Sequence, residues 1–253
     1  MKKMKRMLTL FILSAVISTL SFFGSASASG NEVKLIDSLI YGYKFGLVTF
    51  SGNIEVENLG YAKNVTVHYT PDDVTWYDTA ATYVGPTDST HERWKFDIST
   101  SALTTDHPEL KNLRHIRFAI KYVVNGNTYW DNNGGSNYYN ERSNNSLSSI
   151  ILGKANVLRA YDDLLNDTFS GGVYVKNITP TKTVKIVYTT DNWATTNEGY
   201  ATYTAMANNF NSAEIWTFNF SVTGATEVKY AISYSTGGST YWDNNYGNNY
   251  TVN

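Results

Sequence analysis

The sequence predicts an all-β protein made of two tandem β-sandwich domains behind an N-terminal signal peptide. Three observations lead there: a set of residues that occurs twice, short runs in which apolar and polar residues alternate, and turn residues that separate those runs. Sustained helical periodicity is absent after the first residues.

The N-terminus comes first. Lys2, Lys3, Lys5 and Arg6 precede an apolar run from Leu8 to Phe23, and Ala26-Ser27-Ala28 follows with the small residues that a signal peptidase accommodates. The run is broken by Thr9, Ser14, Ser18, Thr19 and Ser21 and falls short of the roughly 20 apolar residues of a spanning helix. Residues 1–28 are therefore expected to be removed, leaving a secreted, extracellular chain with no membrane attachment. Their removal takes four of the 20 basic residues and none of the 22 acidic ones, so the remaining chain carries about −6. That sign argues against a nucleic-acid partner. The chain has no cysteine, which excludes a disulfide scaffold, thiolate metal sites and a cysteine nucleophile. Stability must come from hydrophobic cores.

The repeat fixes the organisation. Phe50-Ser51-Gly52 matches Phe169-Ser170-Gly171, and Asn58 matches Asn177. The run Asn64 to Thr70 matches Thr183 to Thr189. Asp72 and Trp76 match Asp191 and Trp193, with two extra residues in the first copy. Trp94-Lys95-Phe96 matches Trp216-Thr217-Phe218, and Ala119-Ile120-Lys121-Tyr122 matches Ala231-Ile232-Ser233-Tyr234. Tyr129-Trp130-Asp131-Asn132-Asn133 recurs unchanged as Tyr241-Trp242-Asp243-Asn244-Asn245. A unit of about 100 residues is far longer than a solenoid repeat, so these are tandem domains. The boundaries predicted are 31–140 and 153–253, with the polar, Ser/Asn-rich stretch within 141–152 as a linker.

Within each copy, Val65, Val67 and Tyr69 point to one face and Thr66, His68 and Thr70 to the other, a pattern repeated by Val184, Ile186 and Tyr188. Phe118, Ile120 and Tyr122 make a second apolar face, and Trp94, Phe96 and Ile98 a third. Thr70-Pro71-Asp72-Asp73, Asn125-Gly126-Asn127, Asn133-Gly134-Gly135 and Gly237-Gly238 are turn signals between them. Such short, punctuated strands predict two immunoglobulin-like sandwiches.

The six tryptophans then divide by alternation. Trp94 and Trp216 share a face with Phe96 and Phe218 and belong to the core. Trp76 and Trp193 follow Asp/Asn turn residues, out of register with any apolar face, and so sit in loops. Trp130 and Trp242 adjoin Tyr129 and Tyr241, and a pleated strand sends neighbours to opposite faces, so one of each pair is outside. An exposed indole beside carboxamides suits a sugar: the ring covers the apolar C–H face of a pyranose while the amide offers a donor and an acceptor to hydroxyls. The competing account is that Asp131-Asn132-Asn133 merely builds a turn.

These features together resemble the family 21 carbohydrate-binding modules, found as the starch-binding domain of fungal glucoamylases and in glycogen-targeting subunits of protein phosphatase 1. The resemblance rests on Phe-Ser-Gly, the Val-rich run near Lys63 or Lys182, the Asp…Trp loop, the Ala-Ile-x-Tyr strand and the Tyr-Trp-Asp-Asn-Asn ending, in order in each half. It implies an eight-stranded sandwich with two α-glucan sites per module. One would stack sugars on Trp76 with Trp130, and on Trp193 with Trp242, where Ala119 and Ala231 stand in place of a further aromatic. The other would use Asn58, Tyr61, Lys63, Tyr83, Glu92 and Asn132 in the first copy, and Asn177, Lys182, Tyr203, Glu214 and Asn244 in the second, where Pro180 replaces the tyrosine.

The expectation is a non-catalytic, monomeric binder of α-glucan polysaccharide or oligosaccharide, such as starch or glycogen, with no cofactor, no metal and avidity from two modules. Two other readings stay open. A small glycoside hydrolase would need paired carboxylates across a cleft; the matched acids Asp72/Asp191, Glu92/Glu214 and Asp131/Asp243 read as turn or contact groups. A surface protein would use the same aromatics on another polysaccharide or a protein.

Overall fold

A computed structural model describes residues 30–100, 106–142 and 148–253. The predicted signal peptide lies outside the described residues. The strands run in chain order as β1 (Val33–Gly42), β2 (Val48–Glu57), β3 (Lys63–Thr70), β4 (Tyr77–Ala80), β5 (Thr82–Pro86), β6 (His91–Ser99), β7 (His115–Val124), β8 (Asn127–Asp131), β9 (Tyr138–Glu141) and β10 (Ser148–Leu152). The second repeat continues as β11 (Val157–Leu165), β12 (Thr168–Lys176), β13 (Lys182–Thr189), β14 (Asn197–Tyr200), β15 (Thr202–Met206), β16 (Ala213–Ser221), β17 (Val228–Thr236), β18 (Ser239–Asp243) and β19 (Tyr250–Val252). The only helices among the described residues are two short 3₁₀ turns.

Each repeat is a sandwich of two antiparallel sheets. In the first, β10-β1-β2-β6-β5 faces β4-β3-β7-β8, with β9 also on β7. In the second, β11-β12-β16-β15 faces β14-β13-β17-β18, with β19 also on β17. The alternation read from the sequence is what fills the space between them. Val65, Val67, Tyr69, Phe118, Ile120, Tyr122, Phe96 and Ile98 are all buried against Phe50 and Ile54. Val184, Ile186, Phe218, Tyr230, Ile232 and Tyr234 repeat this around Phe169. Burying a large apolar side chain contributes about 1.5–3 kcal/mol, so two such cores replace any need for disulfides. The sheets are also tied by hydroxyls: Tyr122 Oη donates to the Glu57 carbonyl at 2.7 Å and Tyr234 Oη to that of Lys176 at 2.6 Å.

Alternation fails at Thr70, which was expected to face out. Thr70 and its counterpart Thr189 are buried, because their hydroxyls turn into the following loop and donate to Asp72 (3.0 Å) and Asp191 (2.7 Å).

The segment expected to be a flexible linker is corrected by the structure at both ends. Glu141 closes β9, and residues 148–152 form β10, which pairs antiparallel with β1 from Asp37–Leu152 to Tyr41–Ser148. The reason is local: Ile150 and Leu152 alternate with Ser149 and Ile151 and have somewhere to go. Ile150 and Leu152 bury against Ala213 of the second repeat, with Leu39, Leu158 and Tyr174 packed around them. One strand thus belongs to the sheet of the first repeat by its backbone and to the surface of the second by its side chains. Asn208 Nδ2 donating to the Ile150 carbonyl (2.8 Å), Lys176 Nζ to that of Gly153 (2.5 Å) and the Tyr139–Phe210 ring contact (5.8 Å) add to the join.

Next to this join, Asp37 lies buried on β1 with its carboxylate accepting from Asn53 Nδ2 at 2.9 Å. Burial pushes its pKa up to about 6, more than the Asn53 bond pulls it down, and the charge of Asp243 adds to the rise. The unfolded chain has the ordinary value of 3.8, so the native state holds its proton more tightly and stability falls as pH rises from about 4 to about 6. Asp37→Asn keeps an acceptor for Asn53 and removes that charge. It is expected to stabilise the protein by about 2–3 kcal/mol at neutral pH and not at all near pH 4, read from denaturant midpoints at the two pH values.

Candidate functional site

Two turns present the loop tryptophans, and the same chemistry builds both. In the first repeat, Asp72 Oδ1 accepts from the backbone N–H of Thr75 (2.7 Å) and Val74 (2.9 Å) as well as from Thr70. In the second, Asp191 accepts from the hydroxyl of Thr195 at 2.6 Å and its N–H at 2.9 Å, while Thr189 Oγ1 accepts the Trp193 N–H at 3.0 Å. These bonds favour the carboxylates and hold both acids at about 2, led by the Thr75 N–H for Asp72 and by the Thr195 hydroxyl for Asp191. The turns are therefore fully charged and formed at any ordinary pH. Trp193 takes a left-handed conformation at φ 70°, a strain that this hydrogen-bonded turn holds. Trp76 and Trp193 emerge 37% and 36% exposed.

The second pair of rings is set by the pleat. Tyr129 and Tyr241 face in and pack on the two cores, so Trp130 on β8 and Trp242 on β18 face out. Trp130 is half-buried and Trp242 is 55% exposed, the most open indole of the six. Trp94 and Trp216, expected in the core, are partly buried at its margin, capped edge-on by Tyr83 (5.7 Å) and Tyr203 (6.2 Å).

The first repeat brings its two outer tryptophans together through His68. The His68 imidazole stacks on Trp76 at 4.5 Å and 11°, and meets Trp130 edge-on at 5.9 Å and 77°. Asp78 holds the imidazole at its edge, Oδ1 to Nδ1 2.6 Å, and Lys121 Nζ lies 5.7 Å from the Trp130 ring centre. The planes of Trp76 and Trp130 are thus steeply inclined, with imidazole bridging them. His68 stands opposite Ala119 in the ladder, beside the place where an aromatic was missed in the sequence. Its signal was there: strict alternation through Val65, Val67 and Tyr69 puts His68 on the outer face. In the second repeat Val187 stands opposite Ala231 at that position, and an ion pair between Lys185 and Glu198 (2.8 Å) lies alongside. The two outer faces therefore differ at the position that His68 holds in the first repeat.

The other predicted set is only partly brought together. Lys63 Nζ donates to Glu92 (2.6 Å) and Asn58 (2.7 Å); Tyr83, on the strand paired with that of Glu92, is half-exposed, and the Tyr61 ring is fully in solvent. Asn132 is not with them. It follows Asp131, which pairs with Ile120, whereas Lys63 pairs with Val124, four residues or about 13 Å along the strand. The second repeat matches: Lys182 Nζ donates to Glu214 at 3.0 Å, Tyr203 is half-exposed, and Asn177 Nδ2 is committed to the Asn211 carbonyl at 2.8 Å. Pro180 is exposed where Tyr61 would stand, and Asn244, at the end of β18, is again remote. The lysine and glutamate side chains are nearly closed to solvent in both copies, at 6% and 11% in the first and 5% and 6% in the second. Tyrosine and asparagine, not the ion pair, are what this surface offers outward.

The Asp-Asn-Asn ending divides its labour. Asp131 Oδ2 accepts from the Leu35 N–H (2.7 Å) and from Tyr138 Oη (2.9 Å), pinning β8 to β1. Asp243 likewise accepts from the Arg159 N–H and Tyr250 Oη, both at 2.7 Å. The middle residues, Asn132 and Asn244, accept from Gly135 and Gly247 N–H through Oδ1 at 2.9 and 3.0 Å, and Asn133 and Asn245 take left-handed φ. Strand pinning thus accounts for the acid, and turn-building for half of the middle amide. Among the described residues, no group of three or more His, Cys, Asp or Glu side chains is placed to hold a metal ion.

The model of the carbohydrate/starch-binding module (family 21) matches residues 31–140 and again 149–253. Glucoamylase 1 of Rhizopus oryzae is 34% identical over 141 residues, which cover 54% of this chain and 20% of the relative. Protein phosphatase 1 regulatory subunit 3B of Homo sapiens is 36% identical over 92 residues, 35% of this chain and 30% of the relative. A solved starch-binding domain of Rhizopus oryzae glucoamylase, in complex with β-cyclodextrin and maltoheptaose, is 35% identical and covers 39% of this chain and 93% of its own, with a TM-score of 0.34. The chain spans less than a third of the length of these two curated relatives.

Proposed function

Because the chain belongs to family 21 of the carbohydrate/starch-binding modules through both of its repeats, we propose that it is a secreted, non-catalytic binder of α-glucans such as starch or glycogen. The observation that carries this reading is the placement of Trp130 and Trp242: in both repeats the pleat packs the preceding tyrosine on the core and turns the indole outward, two residues before an asparagine whose Oδ1 is taken by the turn. In the first repeat Trp76 adds a second ring, bridged to Trp130 by His68, and Trp193 is the exposed loop indole of the second. A helical glucan presents a curved apolar surface, and inclined rings follow such a curve better than coplanar ones. Secretion rests on residues 1–28 of the sequence.

A face of this size gains only a few kcal/mol from stacking before the ordering losses of association are subtracted. Two faces on one body raise the affinity for a polymer by about 10²–10⁴ when both engage it. The packed join through β10 makes this a matter of fixed geometry instead of linker reach, so it favours polymers over short oligosaccharides.

The test is retention on insoluble polysaccharides. Starch is expected to retain the secreted protein while cellulose and chitin leave it in solution, and no reducing sugar is expected to appear from soluble starch. Equal retention on all three would instead favour a general surface-interaction protein, and reducing-sugar release a hydrolase.

A further inference from the structure

The join between the repeats leaves a groove of about 470 Å³ open to solvent on the side where Trp242 stands. Ile36 and Glu55 of the first repeat form one wall, Lys154 and Asn156 of the connecting segment the floor, and Trp242 and Tyr246 of the second repeat the other wall. We infer that this groove is a further α-glucan subsite, in which a chain stacked on Trp242 continues across the boundary onto the first repeat. The inference rests on the proposed function and extends it to residues that neither repeat supplies alone.

The groove is built rather than incidental. β1 bulges between Leu35 and Asp37, and the Ile36 carbonyl this exposes accepts from Gly153 N–H (2.9 Å) and Ala155 N–H (3.2 Å), while Leu35 accepts from Lys154 N–H (2.7 Å). The Asn156 carbonyl accepts from Lys176 N–H at 2.9 Å, fixing the floor to β12. At the far wall the Arg93 guanidinium of the first repeat lies 4.2 Å from the centre of the Tyr246 ring, a cation–π contact that holds the wall across the boundary.

Its lining is that of a sugar site. The volume is within the range of small-ligand sites, about 300–1,000 Å³. Trp242 gives the open indole face, while Ile36 lines the groove with its side chain almost closed to solvent. Lys154, half exposed and paired with the nearly buried Glu55, provides ammonium donors, and the Asn156 carboxamide provides a donor and an acceptor together, the pairing that vicinal hydroxyls need. A polymer rather than a monosaccharide is the ligand that fits, because the groove continues from a ring that already faces solvent.

The experiment uses the full chain carrying Trp76→Ala/Trp130→Ala, which removes the first repeat's own face, titrated calorimetrically with maltotriose and maltoheptaose. Maltoheptaose is expected to bind about tenfold more tightly, the worth of about 1.4 kcal/mol of added contact. Asn156→Arg, which fills the groove, is expected to bring that ratio close to one. Lys154→Ala, which empties it, is expected to reduce the ratio, and it decides the matter where Asn156→Arg does not fold. A ratio near one in the parent, or one unaffected by both changes, overturns the subsite and leaves the proposed function standing. Absence of any malto-oligosaccharide binding by the wild type overturns the function itself.

Discussion

Native electrophoresis through a starch-containing gel is expected to retard the wild type strongly and to leave Trp76→Ala/Trp130→Ala/Trp193→Ala/Trp242→Ala running as in a plain gel. An aromatic anchor in a recognition surface is worth about 2 kcal/mol or more, and the two faces act together on one polymer, so the apparent affinity is expected to fall at least 100-fold. The fold should survive, since none of the four rings belongs to either core. A folded quadruple variant with undiminished retardation would reject stacking as the basis of binding. The half-variants are expected to be unequal. Trp76 gives one of its faces to His68, and Trp130 is half-buried with Lys121 over its ring, whereas Trp242 is 55% exposed. Trp193→Ala/Trp242→Ala should therefore cost more than Trp76→Ala/Trp130→Ala.

That asymmetry shows where the sequence was informative. Two sandwiches and the core faces follow from period-two alternation, because one register satisfies the burial of Val65, Val67, Tyr69, Phe118, Ile120 and Tyr122 at once; alternation also puts one ring of each Tyr-Trp pair outside, and the packing of Tyr129 and Tyr241 on the cores makes that ring the indole. Long-range partners do not follow from periodicity. Nothing in the local pattern says that Asp131 reaches the N–H of Leu35, 96 residues away, or that Lys63 closes on Glu92 across the sandwich. His68 has Val187 as its counterpart in the second copy, and a repeat comparison is blind to a residue that makes the two copies differ. The connecting segment failed for another reason. Ser, Asn and Glu dominate its first part, and composition alone overlooked that Ile150 and Leu152 alternate as a strand whose free edge and apolar face are both taken, one by each repeat.

The join also changes what tandem modules mean for binding. Modules on a flexible tether search independently, and the second engagement is governed by tether length. Here β10 is hydrogen-bonded to β1 and packed on Ala213, so the two faces keep a set separation and direction. Such a body discriminates among polymers by their shape: a glucan whose helix passes both faces at once gains the full advantage, and one that cannot gains none.

Lys182→Met is expected to destabilise the protein by about 3–5 kcal/mol, the cost of leaving one partner of a buried ion pair uncompensated. Both side chains are almost closed to solvent, at 5% and 6%, and without Lys182 the Glu214 carboxylate keeps only the Trp216 Nε1–H donor at 2.8 Å. Lys182→Met/Glu214→Leu is expected to recover most of the loss, since apolar groups of similar volume replace a buried pair at little net cost. It leaves the Trp216 indole N–H without its acceptor, a state that the first repeat already tolerates at Trp94. Denaturant midpoints of the single and double variants give the coupling directly. Starch retardation of the double variant then separates two roles for these residues. Retardation equal to wild type identifies the pair as a strut between the two sheets that also holds Trp216, on which Tyr203 rests. Loss of retardation at unchanged stability would instead place the lysine and glutamate in contact with the glucan, and the same pair of measurements on Lys63 and Glu92 asks the question of the first repeat.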